Sequence, residues 1–572
     1  MMFQPQIGSK SRTYKYVDEQ VLLASYPDMF VLPFMPFLLL LLARLTIAAA
    51  PTVSLPYGTF RGFESGDLTQ FLGVPFAQAG RFENPRIPTH LHGIQNATEF
   101  GPACPQQSLT PQDVFYTGPT YLSISEDCLT LNIFKPKLLE GSKKLPVFVV
   151  ICAGGFQLGN SRDVDVTPML RRSIETKEPV IIVTPNYRVS AFGFLAGKEV
   201  AAAGISNLGL RDQIFALKWV QRHISEFGGD PSRVVIGGQS AGSMSLSFLA
   251  QYNKHDSHEL FHGLVQQSGP AIHIPSLADG QADYDALMAT NGCASAADTL
   301  DCLRGVPFES LMASVNKTSN FFSYRSLNLT WLPRIDGDVV QRDPFTSISQ
   351  GLYAKVPVMS GMNDDEGTLF SYSTLNITSA EEFLDYVHFN LLPASSANEI
   401  QKLGRLYPQD PTQGSPFNTG AAYELTSQYK RISAFQGDLE ITAPRRFFLE
   451  HASQTQNVWG WLNKRGKTAS ALGAYHGSDI LIWFPPDLSR ETSMGVDAIV
   501  NFINTLNPNV PAKHSSANIA IHWPRWNTVS EGGSKPVLTF FDSGINITAE
   551  NFREEQVQFL NSLRLDEAGV SL

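Results

Sequence analysis

The sequence predicts an α/β fold: a large, mostly parallel central sheet flanked by helices, with helical insertions. Three observations predict it. Short apolar, β-branched runs recur along the chain, and stretches with helical spacing lie between them. At 572 residues and 43% hydrophobic content, the chain can bury a large core. Strands that alternate with helices imply a parallel sheet covered on both faces.

The first buried strand is LPVFVVIC (Leu145–Cys152), and PVIIVTPNYR (Pro179–Arg188) is the next. A helix follows over Gly209–Ile224, with Leu210, Ile214, Leu217 and Ile224 near helical spacing. RVVIGG (Arg233–Gly238) reads as a strand and AGSMSLSFLA (Ala241–Ala250) as a helix. Later strands are expected at His262–Gly269, Lys355–Gly361 and Asn457–Leu462. Segments 280–350 and 370–450 are helix-rich and irregular. No linker isolates either one, so they read as insertions over the sheet. No internal repeat or low-complexity tract interrupts the pattern.

Composition narrows the function. With 17% charged and 11% aromatic residues the chain is not of the disordered class. The formal net charge is −10 and no basic stripe is present, so nucleic acid is not an expected partner. Near the N-terminus VLPFMPFLLLLLARLTIAAA (Val31–Ala50) is strongly apolar and ends in small residues, as at a signal-peptidase site. Arg44 interrupts the run and argues against an uncleaved anchor. Residues 1–49 are therefore expected to be a signal peptide with an extended leading region, with Met29 or Met35 as alternative starts. Residues 50–572 are expected to form one secreted catalytic domain with no stable membrane insertion. Asn-x-Ser/Thr sequons at Asn96, Asn316, Asn328, Asn376 and Asn546 agree with export. Of five cysteines, proximity in sequence pairs Cys104 with Cys128 and Cys293 with Cys302, leaving Cys152 free. Each pair closes a short loop and contributes roughly 3 kcal/mol on the loop-entropy model.

The chemistry centres on Gly238-Gln239-Ser240-Ala241-Gly242. A G-x-S-x-G string alone is weak. Here a strand ends before the serine and a helix begins after it, the setting that lifts a nucleophilic hydroxyl to the carboxyl edge of a sheet. A serine needs a base, and an ester carbonyl needs donors for its developing oxyanion. Cys152-Ala153-Gly154-Gly155-Phe156 leaves a strand, and its glycines let backbone N–H groups approach a substrate oxygen. The expected donors are Gly154 and Gly155, with Ala241 as the third. The acid and base should follow the serine in that chain order. Asn363-Asp364-Asp365-Glu366-Gly367 offers three carboxylates, and His476 in Ala474-Tyr475-His476-Gly477 is one of twelve histidines. The residues alone leave the acid open and point only weakly to His476.

The chain resembles the cholinesterase and type-B carboxylesterase/lipase family of α/β-hydrolases, most of all its secreted fungal members. The resemblance rests on Ser125–Ile133, Asn186–Val189 through Gly193–Leu195, Asn207–Arg211, Phe227–Gly242, Gln267–Gly269, Asp365–Thr368, Leu472–Asp479 and Trp523-Pro524, in the family's order. It implies a serine carboxylic ester hydrolase acting on a small-molecule ester through an acyl-enzyme, without cofactor or metal. It carries the acid onto Glu366 and the base onto His476, and it implies the same two disulfides. It also implies an alternative, a triacylglycerol or sterol-ester lipase or an esterase of a specialised-metabolite pathway. Relatives that lost the nucleophile act in adhesion, but Ser240, Glu366 and His476 are all present here. A choline-binding tryptophan is missing from 105–127, whose aromatics are Phe115, Tyr116 and Tyr121.

This chain departs from the family pattern at two points. Cys152 and Ala153 stand where an aromatic or histidine and a third glycine are usual, and Gln239 stands where glutamate is usual. The first change leaves backbone donors intact; the second removes a negative charge beside the serine. Segment 105–127 lies, by the resemblance, where lipases carry a flap. Pro105, Pro111 and Pro119 and the lack of a helical apolar stripe suit a fixed rim better than a swinging lid.

Overall fold

The computed structural model describes residues 50–109, 123–137, 143–252, 259–488, 490–511, 521–527 and 535–570. The expected signal peptide at 1–49 and most of the rim at 105–127 lie outside the described residues. From Ala50 to Leu572 the chain forms one compact unit. Its N-terminal strands are β1 (Thr52–Leu55), β2 (Gly58–Arg61), β3 (Phe63–Ser65), β4 (Leu68–Pro75), β5 (Ile94–Asn96) and β6 (Thr130–Pro136). The central strands are β7 (Leu145–Ile151), β8 (Ile181–Pro185), β9 (Gly229–Gln239), β10 (Gly263–Gln267), β11 (Val358–Asn363) and β12 (Val458–Asn463). Two more close the chain, β13 (Pro536–Phe541) and β14 (Gly544–Ala549).

Among the described residues the main sheet has 11 strands in the order β14-β13-β12-β11-β10-β9-β7-β8-β6-β4-β3, and β1, β2 and β5 form a small separate sheet. The middle of the main sheet is parallel, from β8 through β7, β9, β10, β11 and β12 to β13. Both ends are antiparallel. The sheet is therefore more mixed than the alternating pattern implies. The added strands come from short local connections, such as the two-residue turn between Phe541 and Gly544, whereas parallel pairs need a long crossover.

The parallel strands are apolar on both faces because helices cover both. In β7, Val147, Val149 and Ile151 enter one core, while Phe148 and Val150 enter the other. β8 divides in the same way, with Ile181 and Val183 opposite Ile182. Helix Leu208–His223 packs against the first core, and Arg490–Thr505 contributes Val496, Ile499 and Phe502 to the second. The insertions are helical as expected, with Gln281–Thr290 and Phe308–Val315 in the first and Ala380–Tyr386, Ala397–Leu406 and Tyr429–Gly437 in the second. The second insertion has its own apolar cluster around Phe383, Leu403 and Phe435, closed by Leu560 of the last helix, Glu554–Glu567. No helix among the described residues is long and apolar enough to cross a membrane.

Asn96, Asn376 and Asn546 are exposed. Asn316 and Asn328 are half-buried and already engaged: Asn316 Oδ1 accepts from the Ser108 N–H at 2.9 Å, and Asn328 Nδ2 donates to the Asn390 carbonyl at 2.7 Å. A glycan on Asn328 would displace that second bond.

Cys104 is bonded to Cys128 and Cys293 to Cys302, while Cys152 is free and buried. Burial, aided by the nearby Asp163 charge, pushes the Cys152 thiol well above its ordinary value, so it stays protonated and inert. Alkylation of the denatured, unreduced protein is expected to label one cysteine, at position 152, and the native protein none; peptide mapping checks this. Label at Cys104 or Cys293 would overturn the pairing.

Candidate active site

β9 runs to Gln239, the next helix begins at Ala241, and Ser240 alone makes the turn, with φ 53° and ψ −128°. A non-glycine residue held at positive φ is strained, and the surroundings must enforce it. They do so by proximity. A Cβ on Gly238 would stand 2.6 Å from the Gly242 carbonyl carbon, and one on Gly242 would stand 2.3 Å from the Ile151 carbonyl oxygen at the end of β7. The Ser240 N–H donates to the Gln267 carbonyl at 2.9 Å, and the Ser240 carbonyl accepts from the Met244 N–H at 2.8 Å.

The three carboxylates after β11 separate by partner. Lys467 reaches Asp364 at 2.6 Å and Asp365 at 2.9 Å. Asp365 also accepts from the N–H groups of Phe417 and Ala474, at 2.8 Å each, which fastens the histidine loop to the strand end. Glu366 alone faces His476: Oε2 accepts from the ring Nδ1 at 2.6 Å. Its other oxygen accepts from the Ser268 hydroxyl and the Asn363 N–H, both at 2.6 Å. With Nδ1 protonated, His476 Nε2 carries the lone pair. The Gln239 side-chain amide lies 3.3 Å from it, and the Phe370 ring packs 5.0 Å from the imidazole.

Gly154 and Gly155 follow β7 with φ 107° and 61°. A Cβ at Gly154 would meet the Leu158 carbonyl oxygen at 2.2 Å, so the turn admits only glycine there. Among the described residues the N–H groups of Gly154, Gly155 and Ala241 donate to no other group of the chain. All these elements meet at a gorge of about 350 Å³ lined by Gly154, Gly155, Ser240 and His476, with apolar walls from Met244, Phe321, Leu369 and Phe370. No cluster of three or more His, Cys, Asp or Glu with metal-holding geometry occurs among the described residues.

Motif reading missed the groups behind the acid. Asn363 Nδ2 lies 3.1 Å from Ser268 Oγ and 3.1 Å from Asp479 Oδ1, tying Glu366 to a second buried carboxylate. Asp479 sits three residues after His476, inside a block already singled out, but no spacing rule distinguishes it from a helix cap. Burial, then the Glu366 charge, pushes its carboxyl up to about 6 against the opposing Asn363 bond and His476.

A turn-borne serine, a histidine–carboxylate pair and unengaged backbone N–H groups around an apolar gorge define a serine hydrolase type of site on an α/β sheet. The model of the carboxylesterase family matches residues 49–560. Lipase 4 of Diutina rugosa is 36% identical over 548 residues, covering 91% of this chain and 97% of that protein. Secreted lipase 1 of Botryotinia fuckeliana is 35% identical over 544 residues, 90% of this chain and 93% of that one. The crystal structure of Aspergillus niger EstA superposes with a TM-score of 0.77 at 27% identity, covering 90% of this chain and 99% of that one. The chain belongs to the carboxylesterase family and is a carboxylic ester hydrolase.

Asp479 gives a pH prediction. Its carboxyl titrates higher in the folded state than in an unfolded chain, so the native protein keeps a proton that the unfolded chain releases between about pH 4 and 6. Its contribution to stability therefore falls as pH rises through that window. Asp479→Asn should raise stability by about 3 kcal/mol at pH 8 and by little at pH 4. Urea midpoints at the two pH values check it.

Proposed function

We propose that Ser240 is the nucleophile, His476 the general base and Glu366 the acid that orients it, in a secreted enzyme that cleaves carboxylic esters through an acyl-enzyme. The observation that carries the reading is the 2.6 Å contact between His476 Nδ1 and Glu366, beside a serine held at the strand–helix turn. His476 Nε2 takes the Ser240 proton as the hydroxyl oxygen attacks the ester carbonyl. Glu366 fixes the tautomer and stabilises the imidazolium. The N–H groups of Gly154, Gly155 and Ala241 receive the oxyanion, and losing one such donor typically costs about 3–4 kcal/mol of transition-state stabilisation. The imidazolium then protonates the leaving alkoxide. Water, activated by the same nitrogen, attacks the acyl carbonyl and frees Ser240.

Secretion is supported by the apolar leader and by the relative named a secreted lipase. We read residues 1–49 as the removed leader, 50–572 as the catalytic domain, and the sequons as its glycosylation positions. Ser240→Ala should lower kcat on the order of 10⁶-fold if the three residues act as a unit. Glu366→Gln should cost far more activity than Asp365→Asn, measured on p-nitrophenyl acetate in correctly folded variants; the reverse order would move the acid.

The names of the fungal relatives favour a second reading, a lipase. The three prolines in the sequence of 105–127, with no helical apolar stripe, favour an esterase working on dissolved esters. Rate measured against tributyrin concentration through its solubility limit is expected to rise smoothly, and a sharp jump at the onset of emulsion would establish the lipase.

A further inference from the structure

The gorge is apolar over most of its length but ends against a charge. Among the described residues that line it, Glu440 is the one carboxylate. It enters from the turn of helix at Asp438–Thr442, next to Ile441, which also lines the gorge. Arg564 of the last helix donates to it at 3.3 Å and to Glu567 at 2.6 Å. His273 and Glu567 also face it. Burial raises the Glu440 carboxyl, and Arg564 and His273 oppose that rise.

Behind Glu440 lies a second and larger cavity, of about 770 Å³. Ile272, Leu327, Leu329 and Glu440 line both, so these four side chains are the partition between them. The lining changes character across it. The gorge side carries Met244, Phe321, Leu369 and Phe370, whereas the far side carries Arg325, Arg334, Asp279 and Asp283. Arg334 is buried and feels the charges of Asp283 and Asp279, and its Nε is buried without a hydrogen-bond partner.

From this juxtaposition we infer that Glu440 is a specificity-determining residue: it ends the apolar part of the gorge and selects ester substrates whose chain has an apolar segment followed by a hydrogen-bond-donating end. An alkyl chain gains by leaving water for the walls as far as Glu440. Beyond that point each further methylene displaces solvent from a carboxylate–guanidinium pair and gains nothing. A terminal hydroxyl at the same depth donates to the Glu440 carboxylate and opens toward the second cavity, where Arg325, Arg334, Asp279 and Asp283 supply polar groups. Arg564 engages only Oε1 of Glu440, so Oε2 is the acceptor that a hydroxyl satisfies and an unsubstituted chain leaves without a donor.

The inference rests on the ester-hydrolase reading, and the experiment separates the two. p-Nitrophenyl esters of straight-chain acids, from acetate to palmitate, and their ω-hydroxy counterparts are compared on the wild-type protein, Glu440→Gln and Glu440→Leu. Active serine is counted by phosphonate labelling, so hydrolysis of acetate by labelled-competent protein reports the reading itself. In wild type, kcat/KM should rise by up to about fourfold per methylene, then level off or fall at a medium chain length. At that length the ω-hydroxy ester should be preferred at least tenfold. Glu440→Leu should move the optimum to longer unsubstituted chains and abolish the hydroxyl preference. Arg564 keeps Glu567 as a partner in that variant, and Glu440→Gln, of nearly the same shape, should shift the preference in the same direction by less. Unchanged chain-length and hydroxyl profiles in both variants would overturn the inference while leaving the hydrolase reading standing; so would a wild-type optimum at palmitate. The same test run with alcohol-side chains on acetate esters tells which half of the ester occupies the deep gorge.

Discussion

A buried carboxylate must be fully partnered or it destabilises the fold by several kcal/mol, and the site is assembled around that constraint at Glu366. Its two oxygens are met by the Ser268 hydroxyl just after β10, by the Asn363 N–H at the end of β11, and by the ring of His476 in the loop after β12. Three adjacent parallel strands thus deliver one group each to a single charge. Their parallel direction makes this possible, because all their carboxyl ends open on the same edge. Asn463 at the end of β12 adds a further tie, donating to Asn363 Oδ1 at 2.8 Å and to Ser478 at 3.0 Å. The orientation of the imidazole is therefore a property of the sheet rather than of a loop.

The central strands and the serine turn were legible because fully buried parallel strands read as unbroken apolar runs, and because the glycines of a sterically closed turn cannot be replaced. Gly238 and Gly242 announce the elbow because a strand ends just after one and a helix starts just before the other. The edge strands were not legible: β3 and β5 are three residues each, and β14 is half-exposed with Asn546 in its middle, so neither length nor alternation marks them. Choosing among Asp364, Asp365 and Glu366 also lay beyond local pattern. Lys467, about a hundred residues away in sequence, decides it by claiming the first two. The resemblance to a family supplied that answer, and the ion pairs supply its reason.

Lys467 also explains why three neighbouring acids are tolerated in a buried position. Asp364 is held below its ordinary value by Lys467 and Lys464 working against burial, whereas Asp365 is raised by burial and then by the neighbouring Asp364 charge. The run is thus a cation-bridged anchor for the histidine loop followed by one carboxylate that no lysine claims and that is left to the imidazole. Asp365 binds the Ala474 N–H two residues before the base, so the residue excluded from contact with the imidazole still sets its height above the sheet.

Gln239 fits the same electrostatic logic. His476 already has Glu366 directly behind it, and Asp479 behind Asn363. A carboxylate at position 239 would place another negative charge beside the lone pair of His476 Nε2, in an apolar cavity where charges are weakly screened. The amide at 3.3 Å offers a donor there instead. It can hold the unprotonated ring in place without adding charge, and it must yield that nitrogen when the serine proton arrives. A neutral residue at this position therefore suits a site whose negative charge is concentrated behind the base, where it stabilises the imidazolium, and kept away from the serine oxygen, where it would oppose the oxyanion.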